Sequence, residues 1–116
     1  MRKFQDLQIW QRSHLLTLRI YKTTKLYPKE EQYGLTSQMR RSASSIPTNI
    51  AEGCGRGTNP DFVRFLVIAM GSSSELEYQL ILSRDLEYIT QEEYNPLSNE
   101  LIEIRKMMNT YIQKLS

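Results

Sequence analysis

The sequence predicts an all-α protein, an antiparallel up-and-down four-helix bundle, from three observations. Apolar residues recur at spacings of three and four along most of the chain, which is the spacing of a helix face. No segment shows the strict alternation of apolar and polar residues that is typical of a half-buried strand. Short stretches rich in proline, glycine and capping residues divide the chain into four long segments with short connections, which favours antiparallel neighbours. The 116 residues suffice for one domain with one core, residues 1–116.

The first two helices are bounded by proline and glycine. We predict the first helix from about Asp6 to Leu26, because Tyr27-Pro28 cannot continue it, and the second from about Glu31 to Gly53. Pro47 lies inside the second helix, where a proline deletes one backbone hydrogen bond and costs roughly 3 kcal/mol. A kinked core helix is the favoured interpretation, and a functional cleft at the kink is the alternative.

The last two helices begin at recognisable caps. Asn59 is the predicted N-cap of the third helix, with Pro60 at its first position, and this helix should continue to about Tyr88. Thr90 and Glu93 have the spacing of a capping box, so the fourth helix should run from there almost to Ser116.

Apolar stripes indicate which helix faces are buried. The fourth helix carries one heptad seam: Leu97, Leu101, Ile104, Met108, Tyr111 and Leu115. The predicted main face of the first helix is Leu7, Trp10, His14, Leu18 and Tyr21, and that of the third is Phe62, Leu66, Ala69, Ser73, Leu76 and Leu80. Both helices also carry a second stripe, which a monomeric bundle does not need and which therefore predicts a homo-oligomer interface. The predicted interface residues are Ile9, Leu16, Ile20, Val63, Val67, Met70 and Ile81.

Small and polar residues mark the contact between the second and third helices. The run Gly71–Ser74 predicts a close approach to Ser42 and Ala43 of the second helix. Beside the apolar face, Arg41, Ser45, Thr48 and Glu52 are spaced as one polar stripe. We interpret this stripe as a structural network with Glu75 and Glu77 as partners for Arg41 and Arg40, and a binding site is the alternative.

Residues for catalysis or metal binding are sparse, so we predict neither an enzyme nor a metal or cofactor site. His14 is the only histidine and Cys54 the only cysteine, which excludes the usual zinc sites and an internal disulfide. No Glu-x-x-His pair or P-loop ending occurs. The chain also lacks a long apolar run and an apolar signal sequence, and together with the single cysteine this predicts a cytoplasmic protein.

The net charge of +2 hides an uneven distribution. Residues 1–58 carry ten Lys/Arg and four Asp/Glu, a balance of +6, whereas residues 59–116 carry five and nine, a balance of −4. The basic half predicts binding of structured RNA or DNA through phosphates; the alternatives are charge complementarity within the fold and a scaffold that binds another protein. The candidate phosphate contacts are Arg12, Arg19, Lys22, Arg40, Arg41 and Arg56.

Three motifs resemble one known family. They are Phe4-x-Asp-Leu-x-Ile-Trp-Gln-x-Ser-His14, Ser45-Ile-Pro-Thr-Asn-Ile-Ala-Glu-Gly53 followed by Gly55-Arg56, and Ile68-Ala-x-Gly-Ser-x-x-Glu-Leu-Glu-x-Gln-Leu80. The chain resembles the four-helix-bundle proteins encoded in intervening sequences of bacterial 23S ribosomal RNA genes. The resemblance implies a small cytoplasmic bundle that forms a pentameric ring. A related group, the accessory proteins of diversity-generating retroelements, binds nucleic acid and a reverse transcriptase through a basic surface, so ribosomal or other structured RNA and a protein partner are the expected ligands.

Overall fold

The computed structural model describes residues 2–116 and contains four long helices. They are α1 (Gln8–Thr24), α2 (Leu35–Arg56), α3 (Asn59–Asp85) and α4 (Gln91–Leu115), with short 3-10 helices at Phe4–Asp6 and Lys29–Glu31. Each long helix contacts the next, and α1 also contacts α4. The predicted antiparallel four-helix bundle is therefore confirmed, and the described residues contain no strand.

The bundle is 43 Å long and 23 × 20 Å across. We call the end with the α1–α2 and α3–α4 connections the upper end. The lower end carries the α2–α3 connection, the start of α1 and the end of α4. Within residues 2–116, no helix combines the length and the apolar character needed to cross a membrane.

Helix α2 begins and ends later than predicted. Glu31 lies in a separate short helix, and its carboxylate accepts a hydrogen bond of 3.1 Å from the backbone N–H of Leu35 at the start of α2. Gly53 does not end the helix but continues it, and the last helical residue is Arg56. Gly57 then adopts a left-handed conformation with φ of 83°, which a glycine reaches without steric cost.

The caps of α3 and α4 are side-chain hydroxyls. The N-cap of α3 is Thr58 rather than the predicted Asn59, because Thr58 Oγ1 accepts from the Asp61 N–H at 3.3 Å. The capping box of α4 is confirmed: Thr90 Oγ1 accepts from the Glu93 N–H at 3.1 Å, and the Glu93 carboxylate accepts from the Thr90 N–H at 2.9 Å. Helix α3 ends at Asp85, earlier than the predicted Tyr88.

The core stripe of α1 is the one that was predicted to form a subunit interface. Ile9, Leu16 and Ile20 are at most 1% exposed and lie in the core of the single chain, so their assignment to a subunit interface is wrong. The predicted core face is partly open, with Leu18 52% exposed and Tyr21 41% exposed.

Three buried hydroxyl residues explain why the pattern of α1 was misleading. Ser13, Thr17 and Thr24 lie on the core side between the buried isoleucines and leucine, and each hydroxyl donates to a carbonyl of its own helix. Because the hydroxyl is satisfied locally, such a residue packs like a small apolar side chain. The core stripe of α1 therefore alternates aliphatic residues with Ser and Thr, which reads as polar in the sequence.

Helices α3 and α4 bury the faces that were predicted. The main face of α3 is fully buried, as are Leu97, Leu101, Ile104 and Met108 of α4, whereas Tyr111 and Leu115 are half-buried. Of the second α3 stripe, Val67 is 53% exposed, and the other three residues, Val63, Met70 and Ile81, are half-buried. This stripe remains the one part of the predicted interface set that reaches the surface.

Pro47 is accommodated by a contact from α1. In an unbroken α-helix the N–H of residue 47 would donate to the carbonyl of Ala43, but proline has no N–H. Thr17 Oγ1 lies 3.1 Å from this carbonyl and 2.8 Å from that of Ser13, so one hydroxyl is shared between its own helix and the gap in α2. The proline thus lies at a packed helix contact.

Helices α2 and α3 approach each other closely, as their small residues predicted, but not every one of those small residues lies at the contact. Ser72 Oγ donates to Ser45 Oγ at 2.9 Å, and Ser42 Oγ donates to Gln79 Oε1 at 2.6 Å. Gly71, in contrast, faces open space and is not required for the approach. At Gly53 a Cβ atom would lie only 3.0 Å from Phe65 Cβ, so α2 and α3 are also in close contact near the lower end.

Candidate nucleic-acid interface

The six basic residues predicted to contact phosphates do not form one patch in a single subunit. Arg12 faces α4, where its guanidinium forms a bidentate salt bridge with Glu100. Nε donates to Oε2 at 2.9 Å and Nη2 donates to Oε1 at 2.6 Å. Its Nη1 also lies 3.3 Å from Met107 Sδ. Arg12 therefore joins the first and last helices, and this role competes with phosphate binding.

The Arg12–Glu100 pair makes the stability of the bundle depend on pH. The hydrogen bond from Arg12 lowers the pKa of Glu100. A carboxylate with a lowered folded-state pKa contributes stability above the unfolded pKa, about 4.3 for Glu, and this contribution is lost as the pH falls through the folded-state pKa. Because the side chains are 36% and 24% exposed, we expect a loss of only about 1 kcal/mol.

Urea unfolding of the parent and of Glu100→Gln, at about pH 7 and about pH 3, measures this loss. Glu100→Gln should be less stable than the parent at the higher pH and should lose less stability on acidification. Glu103→Gln is the matched control, since within residues 2–116 the salt bridge of Glu103 is with the exposed Lys106, at 3.9 Å, and Glu103 makes no hydrogen bond to Arg12. Equal acid losses in the parent and Glu100→Gln would contradict the assignment.

Arg56 and Arg41 lie apart from the other candidates. Arg56 is near the lower end, where it pairs with Glu52 at 3.6 Å and covers the ring of Phe65. Arg41 is exposed and lines a groove of about 460 Å³ between α2 and α3, together with Glu75. Neither arginine lines a groove with Arg19, Lys22 or Arg40.

A basic cluster lies around the C-terminal half of α1, close to the upper end. Arg19 and Lys22 line a groove against α4, and Lys25, Lys29 and Arg40 line a second groove against the start of α2. Within residues 2–116 none of these five side chains pairs with a carboxylate. We call these five residues the upper basic cluster.

The upper basic cluster contains three of the six predicted residues and two others. Lys25 and Lys29 were not among the predicted phosphate contacts. Lys25 lies further round the first helix from Arg12 and Arg19, and Lys29 follows Tyr27-Pro28, beyond the end of that helix. The available signal was their number: Lys22, Lys25 and Lys29 all fall within one short stretch around the end of α1.

The polar stripe of α2 is only partly the predicted network. Ser45 accepts from Ser72 and from Asn49 Nδ2, both at 2.9 Å, whereas Glu52 pairs with Arg56. Neither predicted arginine–glutamate partnership is present among the described residues. Glu77 pairs with Arg105 at 3.1 Å instead, and Arg40 donates to Thr24 Oγ1 and to the carbonyl of Tyr21. The sequence identified a polar helix contact but not its partners.

His14 and Cys54 lie in separate surroundings. His14 stacks on Trp10, with ring centroids 4.9 Å apart, in a groove between α1 and α2 that Pro47 also lines. Cys54 is 3% exposed, and burial raises the pKa of its thiol, which disfavours the reactive thiolate. Within residues 2–116 no group of His, Cys, Asp and Glu residues could hold a metal ion.

Exposed apolar side chains occur on two opposite sides of the bundle. On α1 they are Leu15, Leu18 and Tyr21, and on α3 they are Val67, Ile68 and Tyr78. These helices lie diagonally across the bundle and do not contact each other. A chain with two different apolar faces on opposite sides is suited to head-to-tail contacts between copies.

Comparison with known proteins agrees with the fold. The family described as 23S rRNA-intervening sequence protein matches residues 5–110. A crystal structure of a protein of unknown function from the S23 ribosomal protein family of Bacteroides thetaiotaomicron VPI-5482 superposes with a TM-score of 0.80 at 32% identity. The match covers 90% of this chain and 97% of that chain. No functionally curated protein matches the sequence.

Proposed function

The chain belongs to the family of 23S rRNA-intervening sequence proteins, and we propose that it is a non-catalytic, cytoplasmic protein that binds structured RNA through phosphate contacts. The observation that supports this proposal is the upper basic cluster. Its five cations line two grooves beside the C-terminal half of α1, and none of them forms a salt bridge with a carboxylate within residues 2–116. Neither the family nor the structural neighbour is described by a catalytic activity.

Unpaired cations favour a polyanionic ligand for an electrostatic reason. A cation that already pairs with a carboxylate must give up that pair to bind phosphate, as Arg12 would have to give up Glu100. An unpaired, exposed cation gives up only water and counterions, and binding to nucleic acid releases further counterions. Lys25 is therefore a better phosphate contact than Arg12 or Arg56. Arg19 and Lys22 have no salt bridge within residues 2–116 either, although Glu93 lines their groove and the charge of Arg19 also acts on Glu100. Recognition of RNA shape and backbone suits a surface of this composition, since it needs no base-reading groove.

We further propose that the protein assembles into a homo-oligomeric ring, with five subunits as the family resemblance implies. Two different apolar faces, on α1 and α3, would meet between neighbouring subunits. Such head-to-tail contacts close into rings when the rotation between subunits allows it. A ring would repeat the upper basic cluster around its axis, and the number of phosphate contacts would rise with the number of subunits. The basic charge of residues 1–58 and the acidic charge of residues 59–116 also favour this contact.

Binding to a structured 23S ribosomal RNA fragment over a salt series tests the proposed function. We expect the logarithm of the association constant to fall linearly with the logarithm of the salt concentration. Charge reversal by Arg19→Glu with Lys25→Glu should weaken binding and make the salt dependence less steep, by about 0.7 to 0.9 in slope for each phosphate that the variant no longer neutralises. A duplex DNA of equal length shows whether RNA shape contributes.

The matched control is charge reversal at Lys114, an exposed lysine in the last turn of α4 at the lower end. Lys114→Glu should leave RNA affinity close to that of the parent. Light scattering should give the same mass for each variant and for the parent, because a change in assembly would alter binding indirectly. If the parent does not bind RNA even at low salt, the RNA proposal is wrong, and a protein scaffold becomes the function to test by partner capture.

A further inference from the structure

One groove at the upper end differs from the others in its charge. It is lined by Thr24, Lys25, Tyr27, Pro28, Lys29, Gln32, Thr36 and Arg40, and its volume is about 270 Å³. It contains three cations and no carboxylate, whereas the groove of Arg41 also contains Glu75 and that of Arg19 also contains Glu93. We propose that this groove binds a single phosphate group, either of an RNA backbone or of a free phosphate ester.

Arg40 is already oriented for such a ligand. Its Nε donates to Thr24 Oγ1 at 2.9 Å and its Nη2 to the Tyr21 carbonyl at 3.2 Å. The guanidinium also lies over the Tyr21 ring, 4.8 Å from the centroid. These contacts fix the planar group, while Nη1 has no acceptor among the described residues. Little side-chain entropy remains to be lost when an anion binds, which favours affinity.

Thr36 provides a neutral donor on the opposite wall. The residue is only 7% exposed, and its hydroxyl has no hydrogen-bond partner among the described residues although it lines the groove. The Thr36 hydroxyl is reachable from solvent, so it is free to donate to water or to a ligand in the groove. The groove residue with a fully buried hydroxyl that has no partner within residues 2–116 is Tyr27, and buried hydroxyls are normally satisfied.

The nearby carboxylate of Glu31 lies outside the groove. Glu31 is engaged by the Leu35 N–H and by the hydroxyl of Tyr88, at 3.1 and 2.9 Å, and it is not among the residues that line the groove. Phosphate groups bound to proteins accept hydrogen bonds from lysine, arginine and hydroxyl groups. This groove offers two lysines, one oriented arginine and a hydroxyl. The small volume suits one phosphate group rather than a large organic ligand.

An NMR titration of the full chain with inorganic phosphate tests the proposal. Amide and guanidinium resonances are followed against sodium chloride at equal ionic strength, which removes the general effect of salt. We expect saturable shifts at Thr36 and Arg40, and an affinity about tenfold lower in Lys29→Gln, which removes one charge-assisted hydrogen bond. Thr36→Val should act in the same direction, and Lys114→Gln should bind as the parent does. Shifts that do not saturate, or that are equal in Lys29→Gln and the parent, overturn the proposal.

A second arm identifies the source of the phosphate. The choice of RNA rests on the proposed function, whereas phosphate binding in the groove does not. If Lys29→Gln weakens both phosphate and RNA binding, the groove holds a backbone phosphate. If it weakens phosphate binding alone, or the parent binds phosphate but no RNA, the groove is a site for a free phosphate ester. Lys29 is exposed, so this variant should fold even if Thr36→Val does not.

Discussion

Replacing Gly53 by alanine should destabilise the bundle by about 1–3 kcal/mol, although alanine is the better helix former. The new Cβ would lie 3.0 Å from Phe65 Cβ and 3.1 Å from Phe62 Cδ1. Phe65 Cβ is fixed to the backbone and cannot rotate away, so α2 and α3 would have to separate. Urea unfolding of Gly53→Ala beside the parent gives the free energy of unfolding directly.

Two other glycines of the same protein are the controls for this prediction. Gly55 and Gly71 are also helical, but a Cβ at either position meets nothing within 4 Å. Gly55→Ala and Gly71→Ala should therefore stabilise the protein by about 0.5–1 kcal/mol each, through helix propensity alone. If all three substitutions changed stability in the same direction, the close approach at Gly53 would not be the reason for the glycine there.

Removing the hydroxyl of Thr17 should cost about 1–3 kcal/mol, because it leaves the buried Ala43 carbonyl without a donor. The cost should depend on Pro47. In a Pro47→Ala background, residue 47 again has an N–H for that carbonyl, so Thr17→Val should cost less than about 1 kcal/mol. A double-mutant cycle measured by urea unfolding should therefore give a coupling free energy of about 1–2 kcal/mol.

Thr110→Val is the control for this cycle. The hydroxyl of Thr110 donates only to the Lys106 carbonyl of its own helix, at 3.1 Å, in an exposed position. Its removal should change stability by less than about 0.5 kcal/mol in either background. Equal costs of Thr17→Val with and without Pro47 would show that the hydroxyl does not replace the missing amide.

The sequence predicts the fold well where local chemistry decides the structure. The seam of α4 and its capping box depend on residues three or four positions apart, and both were readable without knowledge of the neighbouring helices. The core face of α1 was not, because its Ser13, Thr17 and Thr24 count as polar until their hydroxyls are seen to be satisfied within the helix.

The candidate site was only partly predictable for a related reason. Whether a cation forms a salt bridge depends on carboxylates that are distant in the sequence. Arg12, for example, pairs with Glu100, which is 88 residues away. Arg40 and Arg41 are adjacent in the sequence but face different grooves, since consecutive residues on a helix point about 100° apart. Composition thus identified the basic half of the chain, while the position of each charge required the packed structure.

The contact between α1 and α4 has a consequence for folding kinetics. The other three contacts of the bundle join consecutive helices, so they close only short loops and should form early. The α1–α4 contact can form only when the first and last helices meet. The chain between them is the longest segment that any helix contact closes, so this contact has the highest entropic cost. We therefore expect the Arg12–Glu100 pair to form late in folding, so that weakening it speeds unfolding more than it slows refolding.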